Sequence, residues 1–127
     1  MRVAVRPGRS AGLVEFDSPH GSAAAKWAGA EPLPSGGTEV ELEIDDALIW
    51  AEHVHPAAER TPRLVLRDGQ VELVGLVEAD LGDDLFSVRL GNSVVTLEIE
   101  AVPDGLPGQW ISVVVEPGAL ELYPYSV

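Results

Sequence analysis

Cysteine is absent from the 127 residues, which excludes disulfides, thiolate metal sites and cysteine nucleophiles and fits a cytoplasmic protein. No apolar run approaches the roughly 20 residues needed to span a bilayer. The N-terminus has no apolar stretch ending in a small-residue cleavage site, so no secretory signal is expected. Cations are scarce: eight Lys plus Arg stand against 21 acids, a formal charge of −13, and Lys26 is the only lysine. Aromatics make up 6% of the chain, few for a platform that stacks nucleic-acid bases. Heptads, long-period repeats, low-complexity tracts and long helical patterns are all missing.

What remains is 46% hydrophobic, which argues against disorder even at this charge. The length suits a single domain over residues 1–127 with a core of its own. Charge is unevenly spread. Residues 1–37 hold four cations (Arg2, Arg6, Arg9, Lys26) and three acids, a net +1. Residues 38–127 hold four arginines and 18 acids, a net −14. Such a body repels phosphate, so neither nucleic acid nor an anionic membrane surface is an expected partner. It suits solubility and a basic protein partner.

Residues 1–37 read as an irregular part with two short strands, Arg2 to Arg6 and Leu13 to Asp17. Ser18 to Gly37, with three Pro, four Gly and Trp27 at its middle, reads as a long loop holding at most one helical turn at Ala23 to Trp27. Residues 38–127 read as a β body. Glu39, Glu41 and Glu43 alternate with Val40, Leu42 and Ile44, the period of a strand with one wet and one dry face. Ala47 to His55 reads as a strand or a short helix, with the strand favoured. Arg63 to Arg67, the Asp68-Gly69 hairpin signal and Gln70 to Ala79 follow, with Gly75 marking a bulge or barrel corner. Leu81 to Asp84 reads as a turn. Leu85 to Leu90, Ser93 to Glu100, Trp110 to Val115 and Ala119 to Tyr123 complete the set, the last two as a terminal hairpin.

The expected fold class is therefore all-β: a small antiparallel barrel or an open β-sandwich, with extra N-terminal strands and a long Pro/Gly loop. The last 55 or so residues resemble the OB-fold, a five-stranded partly open barrel with a long, glycine-bent first strand. Gly75 fits that bend, and Gly108-Gln109-Trp110 fits the opening of its fourth strand. The helix usual between the third and fourth strands has no counterpart in Ala101 to Gln109.

No serine-hydrolase elbow, phosphate loop or dinucleotide fingerprint occurs, and 21 acids make any chance carboxylate pair uninformative. An enzyme is not expected, nor a cofactor. His53 and His55, two apart on an assigned strand, would share a face and could chelate a metal given a third ligand. Asp80, Asp83 and Asp84 read as turn formers. Trp27 is a candidate interface anchor or a plug for one barrel end. The rows Glu39/Glu41/Glu43 and Glu98/Glu100 are the candidate binding face. Like charges across paired strands cost stability, so the rows should not be direct neighbours, or Arg63, Arg67 and Arg89 should lie between them. The leading expectation is an acidic interaction domain, of inhibitor or immunity type, for a basic protein. The rivals are a small-molecule or metal-binding barrel and a structural accessory domain.

Overall fold

A computed structural model describes residues 1–125. Its twelve strands are β1 (Arg2–Pro7), β2 (Leu13–Ser18), β3 (Gly21–Trp27), β4 (Gly37–Ile44), β5 (Leu48–Ile49), β6 (Val54–Pro56), β7 (Arg63–Arg67), β8 (Gln70–Gly82), β9 (Leu85–Leu90), β10 (Ser93–Glu100), β11 (Trp110–Val115) and β12 (Leu120–Pro124). The only helical element among the described residues is a 3₁₀ turn at Pro117–Ala119. The chain is all-β, and among the described residues no helix is long and apolar enough to cross a membrane.

Two barrel-shaped sheets form. The first is closed, in the order β1-β2-β3-β12-β4 and back to β1. Its strands are antiparallel except for β3 and β12, which run parallel. The second runs β5-β10-β9-β8-β11-β6, with β5 parallel to β10. Its two edges, β5 and β6, are consecutive in the chain and bridged at Trp50 and Val54, so this sheet is nearly closed. Strand β7 pairs with β8 outside that order.

The two sheets share one plan. Each has a three-strand meander, a fourth strand paired with the first, and a closing strand parallel to the third and antiparallel to the fourth. Val5 opposite Phe16 recurs as Val77 opposite Val88, and Val14 opposite Ala25 as Phe86 opposite Leu97, each 72 residues further on. The closing strands are exchanged: β5 and β6 follow β4 but close the second sheet, while β12 follows β11 but closes the first barrel. The sequence hides this repeat because buried alternation recurs and residue identity does not. Val14, Phe16, Ala23 and Ala25 become Phe86, Val88, Val95 and Leu97, all buried.

One hydrophobic core joins both interiors. In the first barrel Phe16 on β2 is fully buried, with the buried Ala23 directly opposite it on the neighbouring strand β3 and Ala25 opposite Val14. That explains the main departure from the sequence reading. Residues 21–27 are a strand rather than a loop or helical turn, because a narrow barrel needs small side chains opposite a large one and tertiary packing overrides alanine's weak β-propensity. The loop shrinks to residues 28–36.

Four further expectations change. Ala47 to His55 is not one strand: Ala51 has φ 71°, and its amide donates to the Val54 carbonyl at 2.8 Å, folding a turn between β5 and β6. The terminal hairpin does not exist, since β11 pairs with β6 and β8 whereas β12 pairs with β3 and β4. Residues 81–82 extend β8, and the turn is Asp83-Asp84, both left-handed at φ 55° and 64°. Gly75 is not the bulge, which lies downstream between Val77 and Gly82. It sits where the neighbour of β8 changes from β7 to β9, and a Cβ there would lie 2.7 Å from the Arg89 carbonyl oxygen.

Exchanged closing strands couple the two sheets. Single-tryptophan variants retaining Trp27 on β3 or Trp110 on β11 are expected to report the same denaturation midpoint. Leu122→Ala on β12 and Leu48→Ala on β5, both in the core, should each cost about 2–5 kcal/mol and shift both reporters together. Separate midpoints for the two tryptophans would refute the coupling.

Candidate functional site

Strands β4 and β10 belong to different sheets but lie side by side, their Cα atoms coming within 8 Å. Two cavities run along this seam. One, of about 440 Å³, is lined by residues 41–45 on one side and by Leu85, Val94, Thr96 and Glu98 on the other. The other, of about 700 Å³, lies toward the start of both strands, among Met1, Arg2, His20, residues 39–42, residues 91–95 and Tyr125. The wet-face residues of both strands therefore converge on one groove. Glu41, Glu43, Asp45 and Glu98 line its first part, with no Lys or Arg among the lining residues.

Four of the arginines are engaged elsewhere. Arg6 meets Glu15 and Asp17, Arg63 meets Glu59 and Glu72, Arg67 meets Glu72, and Arg89 meets Glu78. Glu121 on β12 stands directly opposite Glu43, a like-charge cross-strand pair of the kind that weakens a sheet. Desolvation, then the charge and hydrogen bond of Asp45, then Glu121 and Glu41 push the Glu43 carboxyl above its ordinary value. The Tyr123 hydroxyl donates to Glu121 at 2.9 Å. That bond, with the surrounding negative charge, pushes its pKa up to about 12.

Glu41, Glu43 and Glu98 are thus brought together. Glu39 lines the larger cavity but is committed to the Met1 amine at 3.5 Å and Arg2 at 3.9 Å. Glu100 lies past the groove, opposite Ile49 of β5. The two glutamate rows are not hydrogen-bonded neighbours, as expected, yet Arg63, Arg67 and Arg89 do not lie between them. Sequence reasoning missed Asp45, two residues along from Glu43, and Glu121, which only the topology brings beside it.

His53 and His55 do not sit together on one strand. His53 lies in the β5–β6 turn, where its Nδ1 accepts the Ile49 amide at 3.0 Å, while His55 is exposed on β6. No group of three or more His, Asp or Glu able to hold a metal occurs among the described residues. Trp27 ends β3 half-buried, its indole N–H donating to the Ala30 carbonyl at 3.3 Å. It borders a cavity of about 490 Å³ together with Val14, Pro32 and Leu33. Compared with known proteins, the chain matches no family model, no curated protein and no solved structure.

A raised carboxyl pKa favours the folded state while the group is protonated and ceases to do so as pH rises through the folded value. Glu43→Gln is therefore expected to be more stable than the parent at pH 7 and low salt. The difference should shrink as pH falls below the ordinary glutamate value of 4.5 and as salt screens the cluster. Urea denaturation of both proteins at pH 7 and pH 4 measures it; a gap that does not narrow on acidification would show that Glu43 is not strained by its neighbours.

Proposed function

We propose that this protein is a non-enzymatic binding domain of inhibitor or immunity type that takes a basic protein partner in the cytoplasm. The observation that carries this reading is the first part of the groove between β4 and β10, where Glu41, Glu43, Asp45 and Glu98 stand together with no cation in the lining of that part. Carboxylates spaced along two strands offer a lysine- or arginine-rich surface several ion pairs at once. Such complementarity raises association rate and selectivity. The strand plan of both sheets, with the closing strand parallel to the third, supports an OB-like barrel, a scaffold that carries binding faces on its sheet and loops. Here the sign of the charge favours cationic ligands over the nucleic acids that many such barrels hold.

Binding to a cationic test protein, followed by titration calorimetry at low and moderate salt, should weaken steeply with salt. The combined variant Glu41→Gln, Glu43→Gln, Asp45→Asn, Glu98→Gln should lose tenfold or more in affinity. Neutralising four acids outside the groove (Glu52, Asp83, Asp84, Asp104) should lose far less. Equal losses in both variants would reduce the effect to net charge and sink the reading.

A second reading rests on the cavity under Trp27, whose volume of about 490 Å³ falls within the range of small-molecule sites. Thermal-shift screening against metabolites, with Trp27 fluorescence as reporter, tests it. A ligand that raises the melting temperature and perturbs Trp27 is the expected result; a screen in which no stabilising compound touches Trp27 fluorescence would dismiss it.

A further inference from the structure

The shared plan of the two sheets makes their flanks comparable. In the second half, β7 lies antiparallel to the start of β8 and also crosses the open side of β3. The Leu64 amide donates to the His20 carbonyl at 3.0 Å, and a Cβ on Gly21 would fall 2.5 Å from the Leu64 carbonyl oxygen. A shift of 72 residues carries β3 onto β10, Met1 and Arg2 onto Leu73 and Val74 of β8, and His20 onto Asn92. In the first half, the place equivalent to β7 is the cavity of about 700 Å³ bounded by Met1, Arg2, Asn92, Ser93 and Val94.

Backbone groups face that groove. Met1 and Val40 exchange two bonds of 2.8 Å. Alternation along an antiparallel ladder turns Leu42 and Ile44 to the same side, beyond the end of β1. The Ile99 amide donates to Asp84 at 2.8 Å, so Val94 and Thr96 turn the opposite way, out from β9. Among the described residues none of these four has a backbone partner on that side. Val94 and Tyr125, both about half exposed at 52% and 51%, add apolar surface to the same cavity.

Resting on the binding role argued above, we infer that this groove accepts an extended segment of the basic partner by strand addition, with apolar central residues flanked by Arg or Lys. Strand β7 supplies the template. Its sequence is Arg-Leu-Val-Leu-Arg, Leu64 is fully buried, and Arg63 and Arg67 both reach Glu72, at 3.4 and 3.7 Å. In the first half the Met1 amine and Arg2 at this end are both held by Glu39, and Glu41, with Glu43 and Glu98 further along, offers the same kind of counter-charge. Since β4 and β10 come within 8 Å and neighbouring strands need about 4.8 Å each, the segment docks at the end near Met1 and Asn92 and does not separate the two strands along their length. Backbone bonds then give affinity, and the carboxylates select charge.

The test uses the full chain and a peptide with the sequence of residues 62–68. Amide signals of Leu42, Val94 and Thr96 should shift in heteronuclear NMR. Methylating the peptide amides equivalent to Leu64, Val65 and Leu66 should weaken binding tenfold or more, and so should Val94→Pro, which removes a groove-facing N–H without touching the β9 ladder. An unchanged melting temperature certifies that variant's fold; if it is lowered, the methylated peptide alone decides. Equal binding of methylated and parent peptides would overturn strand addition while leaving the charge-based role standing. Absence of peptide binding beside retained, groove-dependent binding of cationic proteins would do the same. Concentration-dependent dimerisation that excludes the peptide would instead make a second copy of this chain the occupant and overturn the partner assignment.

Discussion

In each half of the molecule, the gap between a third and a fourth strand is filled by a strand that the other half supplies. Everything else is arranged around that exchange. Removing β12 would open the first barrel between β3 and β4, and removing β5 and β6 would part β10 from β11. An exposed sheet edge leaves a row of amides and carbonyls without partners, so neither half could stand closed alone. The buried faces of both halves merge into one hydrophobic cluster, and at roughly 25 cal/mol per Å² of apolar surface removed from water that shared interior is the main force holding the exchange in place.

The exchange also fixes where the groove lies. Strand β4 is stitched to β1 at its start and to β12 at its end, while β10 is stitched to β9 and, only at its last residues, to β5. Each therefore has one stretch with a ladder on a single side. Because β4 leads directly into β5, which pairs with the end of β10, the two half-open stretches are held next to each other. The connection between sheets and the site between sheets are products of one topological fact.

Much of this was legible in the residues and some was not. Alternation of Val40, Leu42 and Ile44 with glutamates, and of Val95, Leu97 and Ile99 with polar neighbours, specifies those strands and their wet faces without ambiguity. Asp68-Gly69 specifies its hairpin because both positions tolerate left-handed backbone. Residues 21–27 misled because Ala23, Ala24 and Ala25 carry little β preference; their place depends on packing beside Phe16 of the neighbouring strand β2, a contact invisible in one strand's sequence. The terminal hairpin misled because Glu116-Pro117-Gly118 reads as a tight turn, whereas it carries the chain from one sheet to the other. Pairing between distant strands is set by packing of whole faces, and no local signal records which face meets which. For the same reason the two glutamate rows were visible while their convergence was not.

Like charges placed face to face are a cost that folding alone gives no reason to bear. Glu43 opposite Glu121, with Asp45 close enough to raise the Glu43 carboxyl, breaks the cross-strand charge rule that the rest of the surface obeys. Several acids elsewhere are matched: Glu72 faces two arginines, Glu78 faces Arg89, and Asp17 is bound by both Ser22 and Arg6, which hold its carboxyl below the ordinary value. Sequences that fold well keep local choices consistent with the whole, and departures from that consistency concentrate where a protein meets a ligand. Lys26 stands across from Glu121 on β3 yet forms none of the ion pairs among the described residues, so no ion pair there relieves the cluster. A cation brought by a partner would relieve it. On the proposed reading, the strain in the free protein would become part of the driving force for binding, since carboxylates that repel one another in isolation gain most when a lysine or arginine row is laid between them.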